Sequence, residues 1–309
     1  MRVTLPAMKR VAVLDAPSNL GLAMPAPGVL PGCYKLPGAV RDNRLLTRIG
    51  ATDAGCVVPP RYDASGWKRG DGLINAPALV EYTRRLADRI SERLDAGDFL
   101  VVLGGDCSIL LGPTLALRRR GRYGLVFVDG HSDFRHLGGE VTYVGTAAGE
   151  DLALVTGRGQ NNVVDIDGLR PYVRDRDVVL LGIRDDDLYI QELIELGMPI
   201  RTALAIQTEG PRRVGVQAVQ YLRELDGFWV HLDADVLDAE VMPAVDTPSP
   251  GGLEHDELVA LLAPIVSDPQ CVGLELTVFD PDLDSDGKLA VKLTDTLVDA
   301  LAGRAHAGA

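Results

Sequence analysis

The chain has 309 residues, of which 46% are hydrophobic and 24% are charged, and its formal net charge at pH 7 is −13. This composition is typical of a globular protein with a sizeable core, and the negative charge argues against nucleic acid or a membrane surface as a partner. The 4 cysteines lack paired spacing, no run has the apolar length of a membrane span, and the N-terminus lacks a signal-peptide pattern. We therefore expect a cytoplasmic protein with reduced cysteines.

Short apolar runs alternate with amphipathic segments, the pattern of parallel βαβ units. The predicted strands are Arg10–Leu14, Phe99–Leu103, Gly124–Val128, Val178–Ile183, Phe228–Leu232 and Val272–Leu276. The predicted helices are Pro77–Ala96, Asp256–Val266, Leu293–Leu301 and one that starts near Ser108, and the Gly- and Pro-rich stretch Asn19–Gly72 is expected to form loops. The pattern predicts an α/β fold: one domain over residues 1–309, with three α/β/α layers and a mostly parallel sheet.

Two of the predicted strands end in groups of potential metal ligands. Asp129, His131 and Asp133 alternate directly after one strand, in VDGHSDF, and an extended chain would point them to one side. Asp233 and Asp235 repeat this spacing in HLDAD. Because ligands of open parallel sheets bind at the carboxyl ends of the strands, these groups are expected to meet. Their carboxylates would repel one another without a cation, and carboxylate with imidazole suits Mn²⁺, Zn²⁺ or Fe²⁺.

A third strand end, GGDCS, places Asp106 and Cys107 in a tight turn before a helix. A lone cysteine is most often a small buried hydrophobic residue. Its place at the same sheet edge as the carboxylates favours a metal ligand instead, because a nearby cation lowers the pKa of a thiol.

The motifs GGDCS, DGHSD and HLDADVLDA, with the loop Pro243–Leu253, resemble those of the arginase/agmatinase (ureohydrolase) family, over about Phe99 to Asp282. The resemblance implies an arginase-like fold, homotrimers or homohexamers, and a site that usually holds two Mn²⁺ ions. The metal ligands that it implies are Cys107, Asp129, His131, Asp133, Asp233 and Asp235.

The resemblance implies that Asp129 and Asp233 bridge the two ions. Cys107 and Asp133 would complete the ligands of one ion, and His131 and Asp235 would complete those of the other. A bridging hydroxide would attack a planar carbon that bears nitrogens, with Asp133 accepting a hydrogen bond from it. Cys107 stands where the family has a histidine. Since a thiolate is softer than imidazole, this half of the site would favour Zn²⁺ or Fe²⁺, or stay empty and leave a one-metal site.

The residues expected to transfer protons depart from the family pattern. Ala148 stands where arginases have a histidine that relays protons to the leaving group. His136 and Glu150 lie close by in the sequence and are the candidates to replace it.

The residues expected to bind substrate depart as well. Val278 stands where the family has a glutamate that binds the guanidinium group, and Glu275 is the carboxylate nearest to it in the sequence. Asp187, in GIRDDDL, matches a position that helps to recognise the amino group of the substrate. An unpaired buried guanidinium is costly, so unmodified arginine is either not the expected substrate or is held differently.

We therefore expect a metal-dependent hydrolase of a non-peptide C–N bond in a small linear amidine or guanidine, N-hydroxyguanidine and formimino compounds included. Two alternatives stay open. One is a one-metal amide deacetylase, in which Asp129, His131 and either Asp233 or Asp235 hold Zn²⁺. The other is a non-catalytic binding or assembly subunit with a degenerate site.

Overall fold

The computed structural model describes residues 9–137 and 145–305. Its strands are β1 Val11–Asp15, β2 Thr52–Cys56, β3 Phe99–Leu103, β4 Gly124–Val128, β5 Val178–Leu181, β6 Ile200–Arg201, β7 Phe228–Asp233 and β8 Cys271–Thr277. These strands form one sheet in the order β2-β1-β3-β8-β7-β4-β5-β6, and each neighbouring pair is parallel. The predicted parallel sheet is confirmed, and the extent of one domain over 1–309 stays a prediction.

Helices cover both faces of the sheet, which gives the predicted three layers. They are α1 Leu36–Asp42, α2 Leu45–Ile49, α3 Ala76–Asp95, α4 Leu111–Arg118, α5 Asp151–Val155, α6 Asn161–Val164, α7 Ile190–Glu195, α8 Ala203–Glu209, α9 Pro211–Leu222, α10 His255–Ser267 and α11 Lys288–Ala305. Helices α3 to α7 pack on one face, and α1, α2 and α8 to α11 pack on the other. None of these helices is long and apolar enough to cross a membrane, within the part of the chain described.

The expectation that 19–72 forms only loops is wrong, because α1, α2 and β2 lie within it. Strand β2 reads TDAGC and buries only Ala54, so it lacks the apolar run on which strand prediction depends. Strand β6 is two half-buried residues at the other edge of the sheet. Helix α11 begins at Lys288, earlier than predicted, since the Asp284 carboxylate accepts hydrogen bonds from the first-turn amides of Leu289 and Ala290.

The sheet order brings the three predicted ligand groups together. Strands β3, β8, β7 and β4 are consecutive neighbours, so the segments that follow β3, β7 and β4 meet at one edge. Strands β4 and β7 pair directly, so the carboxylates that follow these two strands lie next to one another. Strand β8, between β3 and β7, adds side chains that the sequence motifs did not include.

Candidate metal centre

The turn after β3 is built by its glycines and by Asp106. A Cβ atom on Gly105 would collide with the backbone of Ser18, so only glycine fits there. The Asp106 carboxylate accepts hydrogen bonds from the backbone amides of Ser108 (2.9 Å) and Gly21 (3.2 Å). Asp106 therefore shapes the turn and presents the next side chain, Cys107, to the sheet edge.

The Cys107 thiol lies inside the cluster. Its Sγ is 2.7 Å from Asp233 Oδ2 and 3.4 Å from Thr277 Oγ1. Burial, followed by the charge of Asp233, raises the pKa of this thiol well above its usual range. Without a cation the thiol stays protonated and donates a hydrogen bond to Asp233. A cation between the two atoms would replace that proton.

His131 is oriented by contacts at both ring nitrogens. Its Nδ1 lies 3.0 Å from Asp235 Oδ2, and its Nε2 lies 3.2 Å from Ser249 Oγ. Burial lowers the pKa of His131, but the hydrogen bond and charge of Asp235 outweigh this effect and raise the pKa to about 9. Since Nδ1 faces the carboxylates, it is the nitrogen available to a cation, and Ser249 fixes the ring from the other side.

Asp133 departs from the expected extended alternation. Its φ is 43°, in the left-handed region that non-glycine residues rarely adopt. Burial and the charge of Asp129 raise its pKa well above the usual range. The backbone therefore turns at Asp133, and its carboxyl approaches Cys107 rather than continuing the line of Asp129 and His131.

Three groups of ligand atoms, which share some members, make up the centre. Within each group, all the ligand atoms lie within 4.8 Å of one another. They are Cys107 with Asp129, His231 and Asp233; Cys107 with Asp133 and Asp151; and Asp129 with His131 and Asp235. All six side chains predicted as metal ligands fall in these groups. Two further members, His231 and Asp151, were not predicted.

The donor atoms of this centre fit a divalent cation. Asp129 Oδ2, both Asp151 carboxylate oxygens and His231 Nε2 are buried, and the described residues supply no hydrogen-bond partner for them. Burial and Asp235 raise the pKa of Asp129 to about 6, and the same causes raise the pKa of Asp233. Buried carboxylates with unsatisfied oxygens are strongly unfavourable unless a cation balances them, and oxygen, nitrogen and sulfur donors suit Mn²⁺, Zn²⁺ or Fe²⁺.

A cavity of about 780 Å³ opens over the centre. Cys107 and Asp133 of the centre line it, together with Asp187 and Val278. Asp187 is held by the backbone amides of Ser132 and Tyr189, each 2.9 Å from its carboxylate. The predicted substrate residue Asp187 thus lies beside the centre.

Comparison with known proteins gives one consistent family. The Arginase family model matches residues 25–303. The arginase of Bacillus subtilis strain 168 is 30% identical over 300 residues, which cover 94% of this chain and 98% of that protein. The chain belongs to the arginase family.

Solved arginase structures share the fold. The native Bacillus caldovelox arginase is 27% identical with a TM-score of 0.82, covering 96% of this chain and 98% of that one. The Bacillus cereus arginase superposes equally well, with a TM-score of 0.82 at 24% identity, covering 95% of this chain and 98% of that one. The arginase-like fold is confirmed, and the chain is a hydrolase of C–N bonds other than peptide bonds. The family uses a binuclear metal centre, for which the ligand groups above are the candidate cluster.

The two residues predicted to relay protons, His136 and Glu150, do not line the cavity. His136 Nε2 lies 3.0 Å from Glu192 Oε1, and its ring packs edge-on against Phe134. Glu150 is buried and accepts hydrogen bonds from the amides of Gly145 and Thr146, while burial raises its pKa to about 7. His136 therefore links its loop to α7, and Glu150 binds the segment that precedes it.

Glu275, predicted to bind substrate, does not line the cavity either. It is fully buried within β8, and its Oε1 is 2.8 Å from Nδ1 of His231 on β7. Val278, which follows β8 with a φ of 70°, lines the cavity instead. The chain therefore has a valine that lines the cavity and a buried His–Glu pair that does not.

Proposed function

We propose that this arginase-family chain hydrolyses a C–N bond in a small linear amidine or guanidine-type compound with the help of two divalent cations. Mn²⁺ is the expected metal, with Zn²⁺ or Fe²⁺ favoured at the Cys107 end. One observation carries the proposal: Asp129 and Asp151, whose buried carboxylates have unsatisfied oxygens, share ligand groups with side chains that line a substrate-sized cavity. The cations would offset the carboxylate charge and supply a water of lowered pKa.

Side chains of this chain would position the reactants and move the proton. Asp129 belongs to two of the ligand groups and would be shared between the two cations, and Asp233 lies in a group that contains Cys107. Asp133 lines the cavity and belongs to the cluster, so it is placed to accept a proton from water and return it to the leaving nitrogen. Asp133 would thus transfer the proton to the leaving group, the role predicted for His136 and Glu150, which do not line the cavity.

The cavity wall narrows the choice of substrate. Asp186, Asp187 and Asp246 line it, which suits a substrate with a cationic amino group. Val278 offers no charge to an amidinium head group. We propose an N-hydroxyguanidine, whose modified head group depends less on a paired carboxylate than that of unmodified arginine does, with a formimino compound as the second candidate.

The test is turnover by purified protein loaded with Mn²⁺. Guanidines, N-hydroxyguanidines, amidines and formimino compounds are supplied, and release of urea, hydroxyurea, formamide and ammonia is measured. At least one compound should be hydrolysed, and Asp129→Asn should lower that rate by about a thousandfold, because it removes a ligand shared between the groups.

The matched control is Glu224→Gln, a surface change that should leave the rate unaltered. Silence across the panel with metal bound would contradict the proposal. Turnover of acetyl-polyamines with one metal per chain would instead support the deacetylase alternative. Metal binding that appears only in Cys107→His would support the non-catalytic one.

A further inference from the structure

His231 is placed to act as a metal ligand although no sequence motif marks it. It lies on β7 two residues before Asp233, so both side chains point to the same face of the sheet. The imidazole is fully buried and stacks on Phe127, with ring centroids 4.6 Å apart. Glu275, its direct partner in the β7–β8 register, binds Nδ1 at 2.8 Å. The ring is therefore fixed, and Nε2 points into the cluster.

The surroundings of Nε2 have the spacing of a coordination shell. It lies 3.7 Å from Asp129 Oδ2 and 3.8 Å from Asp151 Oδ2, and the described residues give it no hydrogen bond. Hydrogen bonds between such atoms are about 2.7–3.2 Å long. Two ligands bound at about 2.1 Å to one ion lie about 3.4 Å apart at the tetrahedral angle and further apart at wider angles. The distance to Asp129 Oδ2 is longer than a hydrogen bond and fits two ligands of one ion, whereas Asp151 belongs to the neighbouring group with Cys107 and Asp133.

We propose that the ion next to Cys107 is bound by Cys107, Asp129, His231 and Asp233, with Glu275 holding the imidazole. The four ligand atoms lie within 4.8 Å of one another. His231 on β7 would thus supply the imidazole ligand that the family has at position 107. This inference rests on the proposed metal-dependent function and names the ligands of one of its two ions.

The proposed shell differs in chemistry from the one implied by the motifs. A thiolate, an imidazole and two carboxylates form a mixed sulfur, nitrogen and oxygen set, which suits Zn²⁺ better than Mn²⁺. The Glu275–His231 contact is the carboxylate–histidine arrangement that fixes the tautomer of a metal-binding imidazole. Asp133 is then outside this shell and remains available at the cavity.

Cadmium NMR tests this ligand set without turnover. The full chain is labelled with ¹⁵N-histidine and loaded with ¹¹³Cd²⁺, whose chemical shift reports thiolate ligation and whose splitting counts bound imidazoles. We expect one thiolate-shifted resonance that is split by one ¹⁵N nucleus. The splitting should disappear in the double variant His231→Gln/Glu275→Gln, which keeps a neutral hydrogen-bonded pair in the core, and persist in His136→Gln.

The outcomes separate the possible ligands. Cys107→Ser should abolish the thiolate shift, and His131→Gln should leave the split thiolate resonance unaltered, since His131 binds the other ion. A thiolate-shifted resonance without splitting, splitting that survives the double variant, or no thiolate-bound cadmium would each overturn the inference. If the double variant does not fold, the splitting in the unaltered chain decides. The proposed hydrolysis is judged separately by product release, so the two can fail independently.

Discussion

At the residue scale, the cysteine at position 107 should set metal preference. Cys107→His replaces a soft thiolate with an imidazole at the edge of the cavity. We expect the ratio of Mn²⁺ affinity to Zn²⁺ affinity to rise about tenfold, because imidazole suits Mn²⁺ better than thiolate does. Competition with a chelator measures both affinities.

Cys56→His is the matched control, because Cys56 is the exposed cysteine and lies outside the ligand groups. It should leave the ratio unaltered. An unchanged ratio in Cys107→His would mean that the sulfur does not contact either ion.

The residues of the centre were predictable to different degrees. The spacing of Asp129, His131 and Asp133 after an apolar run indicates ligands directly. His231 carried a weaker signal, since a histidine two residues before Asp233 must share its face of the strand. Asp151 carried no local signal, because its approach depends on how α5 docks under the sheet.

At the element scale, the β7–β8 pair depends on the contact between His231 and Glu275. Glu275→Ala would leave a buried imidazole without its partner, so we expect the unfolding free energy of the metal-free chain to fall by about 3 kcal/mol. Glu275→Gln keeps an acceptor for the ring N–H and should cost about 1 kcal/mol. Denaturation in urea with a chelator present measures both.

Glu224→Ala is the control for this experiment, because Glu224 is a highly exposed side chain next to Arg223. It should change stability by less than about 0.5 kcal/mol. Equal midpoints for Glu275→Ala and Glu224→Ala would show that the buried pair does not stabilise the sheet.

Elements were predictable where burial is complete. Strands β3 and β4 begin and end as predicted, because all five residues of each are buried and the apolar run coincides with the strand. Strands β2 and β6 were not predicted, because they lie at the edges of the sheet and bury few residues, so neither contains a continuous apolar run. Helix α3 was predicted to within one residue at each end, since a strong apolar stripe is followed by Gly97, whose φ is 81°.

At the scale of the whole molecule, the sheet places many buried acids at one edge, and their protonation is linked to folding. The pKa of Asp129 is raised to about 6 and that of Glu150 to about 7, both chiefly by burial. The pKa of His131 is raised to about 9, because Asp235 outweighs burial. All three groups hold more protons when folded than when unfolded. Asp235, with a lowered pKa, has the opposite sign, but it acts only below its usual value of 3.8.

The pH dependence of stability should therefore differ with and without metal. Stability from a raised pKa is complete below the unfolded pKa and is lost as pH rises through the folded pKa. Between pH 5 and pH 8, the metal-free chain should lose stability, by on the order of 1 kcal/mol per pH unit for each titrating group. A bound cation takes the place of the protons, so saturating Mn²⁺ should raise the melting temperature more at pH 8 than at pH 5.

Melting temperatures in chelator and in Mn²⁺ across this range measure the difference directly. Glu150→Gln isolates one contribution, because Glu150 binds two backbone amides and lies outside the ligand groups. It should flatten the slope below pH 7 equally in both conditions and leave the gain from Mn²⁺ intact. If the profiles with and without Mn²⁺ run parallel, the carboxylates at this sheet edge do not exchange protons for a cation, and the metal centre is not where the ligand groups place it.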